Sequence, residues 1–457
     1  VELSWFSLIQ MTEGNHRLDG SKVSMLTHFT RSRATRSNQR LRKGLTALLA
    51  GVVALLLYWA IAPLLSRAEP SQAKVFEQVW QTVNDNFYDP KFNGVDWKAM
   101  RQKYAPQAAQ ARSSEALAVV VNTMLAELNA SHTRYYTQAE PEYYQLAGIF
   151  WQRGVQRQLK PFLPNGKLEY VGIGASTRDI DGKTFVRAVL DGSPAAQAGL
   201  KVGDQLLSVN GKTFQPIQSF AENADRPVEI QIQRTPDASP QTIAVTPKRL
   251  DPTTMFLDAM KASVQVLDRG GKKIGYIHIW SYADDVYQKQ LERELSDRLS
   301  QVDGLVWDLR DGWGGAEPSY LNPFTAPALD VTFTNRNGTK GSFDLPWKKP
   351  VVMLVNQGSR SGKEILAYGF RQFRVGKIVG SKTAGAVLAG RAYIMQDGSL
   401  LYVAVADVLV DGQRIEGKGV APDVDVPFIV PYAQGRDPQK EGAIAAVIEA
   451  IAKPMKQ

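Results

Sequence analysis

Ser359 and Ser361 stand in the stretch Asn356–Glu364, between the apolar run Val351–Val355 and a second patterned stretch from Glu364 to Phe370. A serine placed where a strand turns into a helix can serve as a nucleophile. The N–H groups of a first helical turn have no intrahelical acceptor, so they can stabilise an oxyanion formed beside it. Such a serine needs a proton acceptor, and a histidine follows a serine at Ser131-His132-Thr133. A lone histidine there can also cap a helix or bond a backbone carbonyl. Together the two stretches point to serine-hydrolase chemistry.

Composition removes several alternatives. The chain has 457 residues, enough for two or three domains with substantial cores. It contains no cysteine, which excludes thiol catalysis, disulfides and cysteine-ligated metals. The four histidines are His16, His28, His132 and His278, two of them in the N-terminal head, so a histidine metal cluster is not expected. The formal charge of +9 is concentrated at one end: residues 1–43 hold eight Lys/Arg against three Asp/Glu, which leaves +4 for the other 414 residues. No basic stripe with interleaved aromatics follows, so nucleic-acid binding is not expected.

The head has its own logic. Arg31, Arg33, Arg36, Arg40, Arg42 and Lys43 precede Gly44–Leu65, a run without a charge. A helix of that length rises about 33 Å, enough to cross a bilayer core. The basic flank keeps its own side cytoplasmic and sends the rest outward. Residues 1–43 read as a basic cytoplasmic head, or as sequence upstream of a true start near Met11 or Met25. Residues 44–68 read as a membrane anchor or signal segment, with Ala68 a candidate cleavage site. The expected location is extracytoplasmic: anchored and facing a periplasm or a thylakoid-lumen-like space, or secreted if cleaved near Ala68.

Apolar positions at helical spacing predict helices over Ser71–Asn86 and Ser114–Leu128, with a turn-rich Phe87–Trp97 between them. Residues 69–147 are expected to form a helical domain presenting Ser131-His132-Thr133. Residues 148–250 change character: short strands broken by glycine turns, with one short helix near Ala195–Ala198. From Asp251 onward strands alternate with helices: Ile274–Ile279, Val286–Leu299, Gly304–Arg310, Val351–Val355, Lys363–Phe373 and Lys377–Val379. That order predicts an α/β domain whose loops meet at the strand C-terminal ends. Gly312, Gly314 and Gly315 fall at one such end and Ser359–Ser361 at another. Their spacing fits neither a phosphate-binding nor a dinucleotide loop.

The 148–250 pattern closely resembles a PDZ domain. The resemblance implies that a peptide C-terminus adds as a strand, with its carboxylate on the backbone N–H groups of Gly172, Ile173, Gly174 and Ala175. From Glu69 to Phe428 the chain resembles the C-terminal processing, or tail-specific, serine peptidases, through Leu128–Thr133, the PDZ block, Leu305–Gly315, Val351–Ala367, Val379–Ala386 and Ile415–Asp423. The fold it implies is multidomain α/β: the helical domain, an inserted β-rich PDZ-like domain (148–250), a clp/crotonase-like α/β catalytic core (251–430) and a C-terminal tail or helix (431–457). Ser361 then corresponds to the nucleophile, and Gly314, Gly315 and Gly362 to the oxyanion hole.

The processing members use a Ser-Lys dyad, and Ala386 in Thr383–Val387 stands where that lysine would be. An alanine cannot take a proton. The chain is more similar here to the tricorn branch, whose Ser-His arrangement implies His132 as base, with Ser131 and Glu416 assisting. Glu364, three residues after Ser361, is an alternative third member. An unperturbed histidine, near pKa 6.5, would suit proton exchange at neutral pH. Lys363, Lys382 and Lys418 sit in polar, Gly-rich sequence, and none is expected to act as a displaced base. The implied activity is a serine endopeptidase working through an acyl-enzyme on exported proteins or their tails, without metal or organic cofactor. An inactive PDZ scaffold that captures peptide ends is the alternative.

Overall fold

The structure is a computed structural model that describes residues 71–151, 154–325, 331–343 and 347–453. The head and the Gly44–Leu65 run, and with them the expected anchor and cleavage site, lie outside the described residues. No helix among the described residues is long and apolar enough to cross a membrane.

A six-stranded sheet runs Val424–Asp425, Ile378–Gly380, Val351–Val355, Gly304–Asp308, Lys272–His278, Gln265–Arg269, parallel except for the last pair. Its central strands are buried on both faces, so they read as continuous apolar runs. The two-residue side-chain period sorts them. Val351, Met353, Val355, Leu305 and Trp307 face one layer with Leu366 and Phe370 of helix Gly362–Gln372. Val352, Leu354 and Val306 face helix Pro438–Ala452 through Ala443, Ile444 and Val447. Arg310 pins that helix by bridging Asp308 and Asp437, each at 2.7 Å.

The N-terminal helices Gln72–Asn86, Trp97–Gln110 and Ser114–Ala126 share a core with the antiparallel sheet of Arg134–Tyr136, Ala389–Ile394 and Leu400–Ala406. Helix Trp97–Gln110 and the 389–406 strands were not expected. The helix is interrupted in pattern by Pro106 and keeps only Trp97, Tyr104 and Ala108 buried, so its periodicity is weak. Strands Ala389–Ile394 and Leu400–Ala406 pair with each other, and Leu400–Ala406 takes its second partner, Arg134–Tyr136, from more than 250 positions away.

The third region is a five-stranded antiparallel sheet, Ala175–Ile180, Lys183–Val189, Gln205–Val209, Val228–Gln233 and Gln241–Val245, with the short helix Pro194–Gln197. Its own small core holds Val186, Phe220, Ile230 and Ile232. Arg187 leaves this sheet to pair with Asp311 of the α/β core at 2.5 Å.

Candidate active site

Ser361 is the N-cap of helix Gly362–Gln372 and adopts φ 57°, ψ −129°. A side-chain-bearing residue at positive φ costs about 1–3 kcal/mol and persists only where its surroundings over-determine it. Here the Ser361 N–H donates to the Ala386 carbonyl at 2.8 Å, and its own carbonyl accepts the Glu364 N–H at 2.8 Å. The strained corner turns the half-buried Ser361 out of the strand–helix line. Ser359 has a different task. Fully buried, it donates to the Leu309 carbonyl at 2.9 Å and accepts the Asn356 N–H at 3.1 Å, which shapes the turn.

The loop Asp311–Gly315 lies against this corner. A Cβ on Gly314 would come within 2.6 Å of the Ser361 Cβ, and one on Gly362 within 2.2 Å of the Ala316 nitrogen. Only glycine permits the approach at these two positions. The N–H groups of Gly314, Gly315 and Gly362 have no acceptor among the described residues.

A second loop, Thr383–Leu388, is held by two carboxylates. Glu364 is buried and accepts the Thr383 hydroxyl at 2.6 Å and the Gly385 and Ala386 N–H groups at 2.7 Å each. Burial raises its pKa, and the donors partly offset that rise. Its oxygens are spent on this loop and none reaches His132. Glu416 accepts the Val387 N–H at 2.6 Å and the Leu388 N–H at 3.2 Å. It also accepts the Ser131 N–H and the Ser131 hydroxyl, both at 3.0 Å. The Ser131 oxygen lies 2.9 Å from His132 Nδ1.

The proton positions follow. A hydroxyl has one proton, and Ser131 gives it to a carboxylate that has none to return. The contact with His132 must therefore run from Nδ1–H to the Ser131 oxygen, which leaves the lone pair on Nε2. His132, at φ 53°, packs against Tyr402 with ring centroids 5.3 Å apart. Part of the residue reaches solvent, but its surroundings dominate its chemistry. Desolvation, and then the Arg360 guanidinium, push the imidazole from 6.5 to about 3. This corrects the expectation of an ordinary histidine: the ring stays neutral through the whole neutral and mildly acid range.

Ser131, His132 and Glu416 are thus joined by direct hydrogen bonds. Ser361 connects to them through one loop, since Ala386 holds its N–H while Val387 holds Glu416. No hydrogen bond joins His132 to Ser361 in this structure. Catalytic contacts of this kind often tighten only with substrate in place.

The lysines divide. Lys382 and Lys418 are exposed as expected, but Lys363 is fully buried. Burial lowers its pKa to about 7, against the opposing pull of Asp311, and its Nζ donates to the Asp311 carbonyl at 2.7 Å. A polar-looking sequence concealed this because the covering groups come from the Asp311 loop. Sequence reasoning also passed over Arg360, Trp313 and Tyr402. Arg360 was legible in principle, as the neighbour of the candidate nucleophile. The two aromatics carried no local signal.

Residues 273–426 match the model of peptidase family S41, residues 68–126 the tricorn protease C1 domain, and residues 185–234 a PDZ domain. Over residues 273–426, its α/β core, the chain is similar to peptidase family S41. It is a serine-type peptidase carrying a PDZ domain. It is 29% identical to a carboxyl-terminal-processing protease of Synechocystis sp., over 78% of this chain and 82% of the relative. It is 25% identical to a putative tricorn protease homolog 2 of Streptomyces coelicolor, over 83% of this chain and 32% of the relative. Among solved structures, the tricorn protease superposes with a TM-score of 0.51 at 18% identity, over 84% of this chain and 37% of that one, a likeness of fold.

Proposed function

We propose that this peptidase cleaves the C-terminal tails of exported proteins with a Ser361–His132 pair in place of a serine–lysine dyad. The observation that carries the reading is the Glu416–Ser131–His132 relay, which leaves the Nε2 lone pair free and is tied through the Ala386–Val387 segment to the strained Ser361. In the reaction, His132 Nε2 takes the Ser361 proton as Oγ attacks the peptide carbonyl. The oxyanion is received by the free N–H groups of Gly314, Gly315 and Gly362. Collapse breaks the C–N bond, and His132 returns the proton to the leaving amine. Water, deprotonated by the same nitrogen, then releases the acyl group. Ser131 and Glu416 hold the imidazole in one tautomer and balance its charge as it forms.

The substrate assignment draws on the names of the relatives and on the PDZ groove. The Gly172–Ala175 loop opens into a cavity of about 140 Å³ that also reaches Trp313 and Arg360 of the core. Within that loop the Ile173 and Gly174 N–H groups donate to no backbone acceptor among the described residues. A tail carboxylate bound there sits on the approach to the nucleophile. The basic flank and the Gly44–Leu65 run support export and anchoring, which fractionation of membranes against soluble extract tests. The likeness to family S41 weighs against an inactive scaffold.

A fluorophosphonate probe tests the chemistry. The full chain is expected to be labelled on Ser361, with labelling lost in S361A and strongly slowed in H132A. An unlabelled wild-type chain would leave only the scaffold reading. For the groove, calorimetry should give at least tenfold tighter binding for a free-acid peptide than for its amide, about 1.4 kcal/mol. Equal affinities would reject the Gly172–Ala175 assignment.

A further inference from the structure

Arg360, the residue before the nucleophile, is an arginine without a counter-ion. It is half-buried, and its guanidinium makes no hydrogen bond or ion pair among the described residues. Its guanidinium lies over the Trp313 ring, 4.8 Å from the centroid. The platform is fixed at both ends: the Trp313 N–H donates to the Trp280 carbonyl at 2.9 Å, and its indole N–H to Gln145 at 3.0 Å. A guanidinium that uses its face for stacking keeps its in-plane N–H fork free, and that fork matches a carboxylate in two places at once.

The charge around it is uncompensated. Asp311 and Glu142 line the same cavity. Asp311 is already engaged by Arg187 at 2.5 Å and by Asn356 at 3.1 Å, and no ion pair joins Glu142 to Arg360. The Arg360 charge also helps hold His132 and Lys363 low, so it bears directly on the reacting groups. A half-buried cation beside a nucleophile, open to a cavity and without an acidic partner of its own, is built for a partner that arrives with the substrate.

We propose that Arg360 is a specificity residue that binds a substrate carboxylate next to the scissile bond. The carboxylate has two sources, an acidic side chain or the free end of the tail itself. The inference rests on the peptidase reading above and assigns the chemistry of one of its subsites. An anion seated there neutralises the Arg360 charge, the lesser of the two causes that disfavour proton uptake by His132, and leaves the greater, desolvation, in place.

The test uses the full chain and quenched fluorescent peptides whose cut bond is first mapped by mass spectrometry. Each flanking position carries Glu or Gln in turn, and each peptide is made as free acid and amide. Wild type is expected to favour the carboxylate at one position by at least tenfold in kcat/KM. R360A should remove that preference, read as a ratio within each variant, and R360K should keep part of it. A Glu/Gln preference that survives amidation and is removed by R360A assigns the side chain, and an acid/amide preference that R360A removes assigns the tail end. The same peptides titrated into S361A and into S361A/R360A give the binding difference without turnover, so the Arg360 assignment stands or falls separately from catalysis. Unchanged Glu/Gln and acid/amide ratios in R360A, or an equal loss on charged and neutral peptides, would overturn it. Failure of wild type to react with the fluorophosphonate probe would count instead against the peptidase reading.

Discussion

Glu364 and Glu416 grip the two ends of one loop, and the contrast between them separates support from chemistry. Both accept three or more hydrogen bonds. Glu364 sits in the core, and its short hydrogen bonds come from the Thr383 hydroxyl and the Gly385 and Ala386 N–H groups. Glu416 is half-buried, and two of its bonds go to Ser131, whose hydroxyl sets the tautomer of His132. Each carboxylate accepts one hydroxyl, but the Thr383 hydroxyl leads on only to the Val420 N–H, so Glu364 fixes geometry. The Ser131 hydroxyl lies against an imidazole, so Glu416 also sets where protons reside. The loop they share carries Ala386, which contributes a backbone carbonyl to the Ser361 N–H and has no side chain able to take a proton.

The largest effects should come from the reacting pair. S361A and H132A are each expected to lower kcat/KM by about 10⁴-fold or more, and the double variant by little beyond either, because groups acting as a unit are not additive. Additive losses would break the pair. Next come the two carboxylates. E416Q keeps most of the local bonding but loses the charge opposite the imidazolium, so kcat should fall roughly 10- to 100-fold with the melting temperature nearly unchanged. E364Q turns an amide N–H toward backbone donors in a buried place, and leaving one unsatisfied costs about 1–3 kcal/mol. It should therefore lower the melting temperature along with the rate. If the two variants behave alike, the division between support and chemistry fails.

The pH dependence sharpens the same contrast. With His132 near 3 in the folded state, the acid limb of kcat/KM, which reports the free enzyme, should lie well below pH 6. A limb at 6–7 would mean that the ring is not desolvated as its surroundings imply. The unfolded chain takes up this proton near 6.5 and the folded one only near 3, so the same group should erode stability as pH falls through that window.

The smallest effect concerns Lys363, on the supporting side. Its folded-state pKa, about 7, lies below the ordinary 10.5, so the unfolded chain holds more protons between those values. Stability from this group should thus rise with pH across that window. K363M should flatten the change in melting temperature between pH 7.5 and 9.5. An identical slope in wild type and K363M would show that the ammonium is not buried at cost.

Sequence alone determined what depends on near neighbours. Val351–Val355 is a strand because β-branched and apolar residues run unbroken, and it sits where that run sits. The helix after it starts within one residue of the expected place, since the glycine–serine turn and the following apolar spacing are both local signals. The PDZ glycines and the missing lysine at Ala386 were equally readable. Only the tertiary structure decided the electrostatics. It brought Glu416 to Ser131 across 285 positions, covered Lys363 with a distant loop, and left Arg360 without a partner. Propensity and periodicity act over a few residues. Desolvation and Coulomb interaction depend on which distant surfaces meet, and no local pattern encodes that meeting.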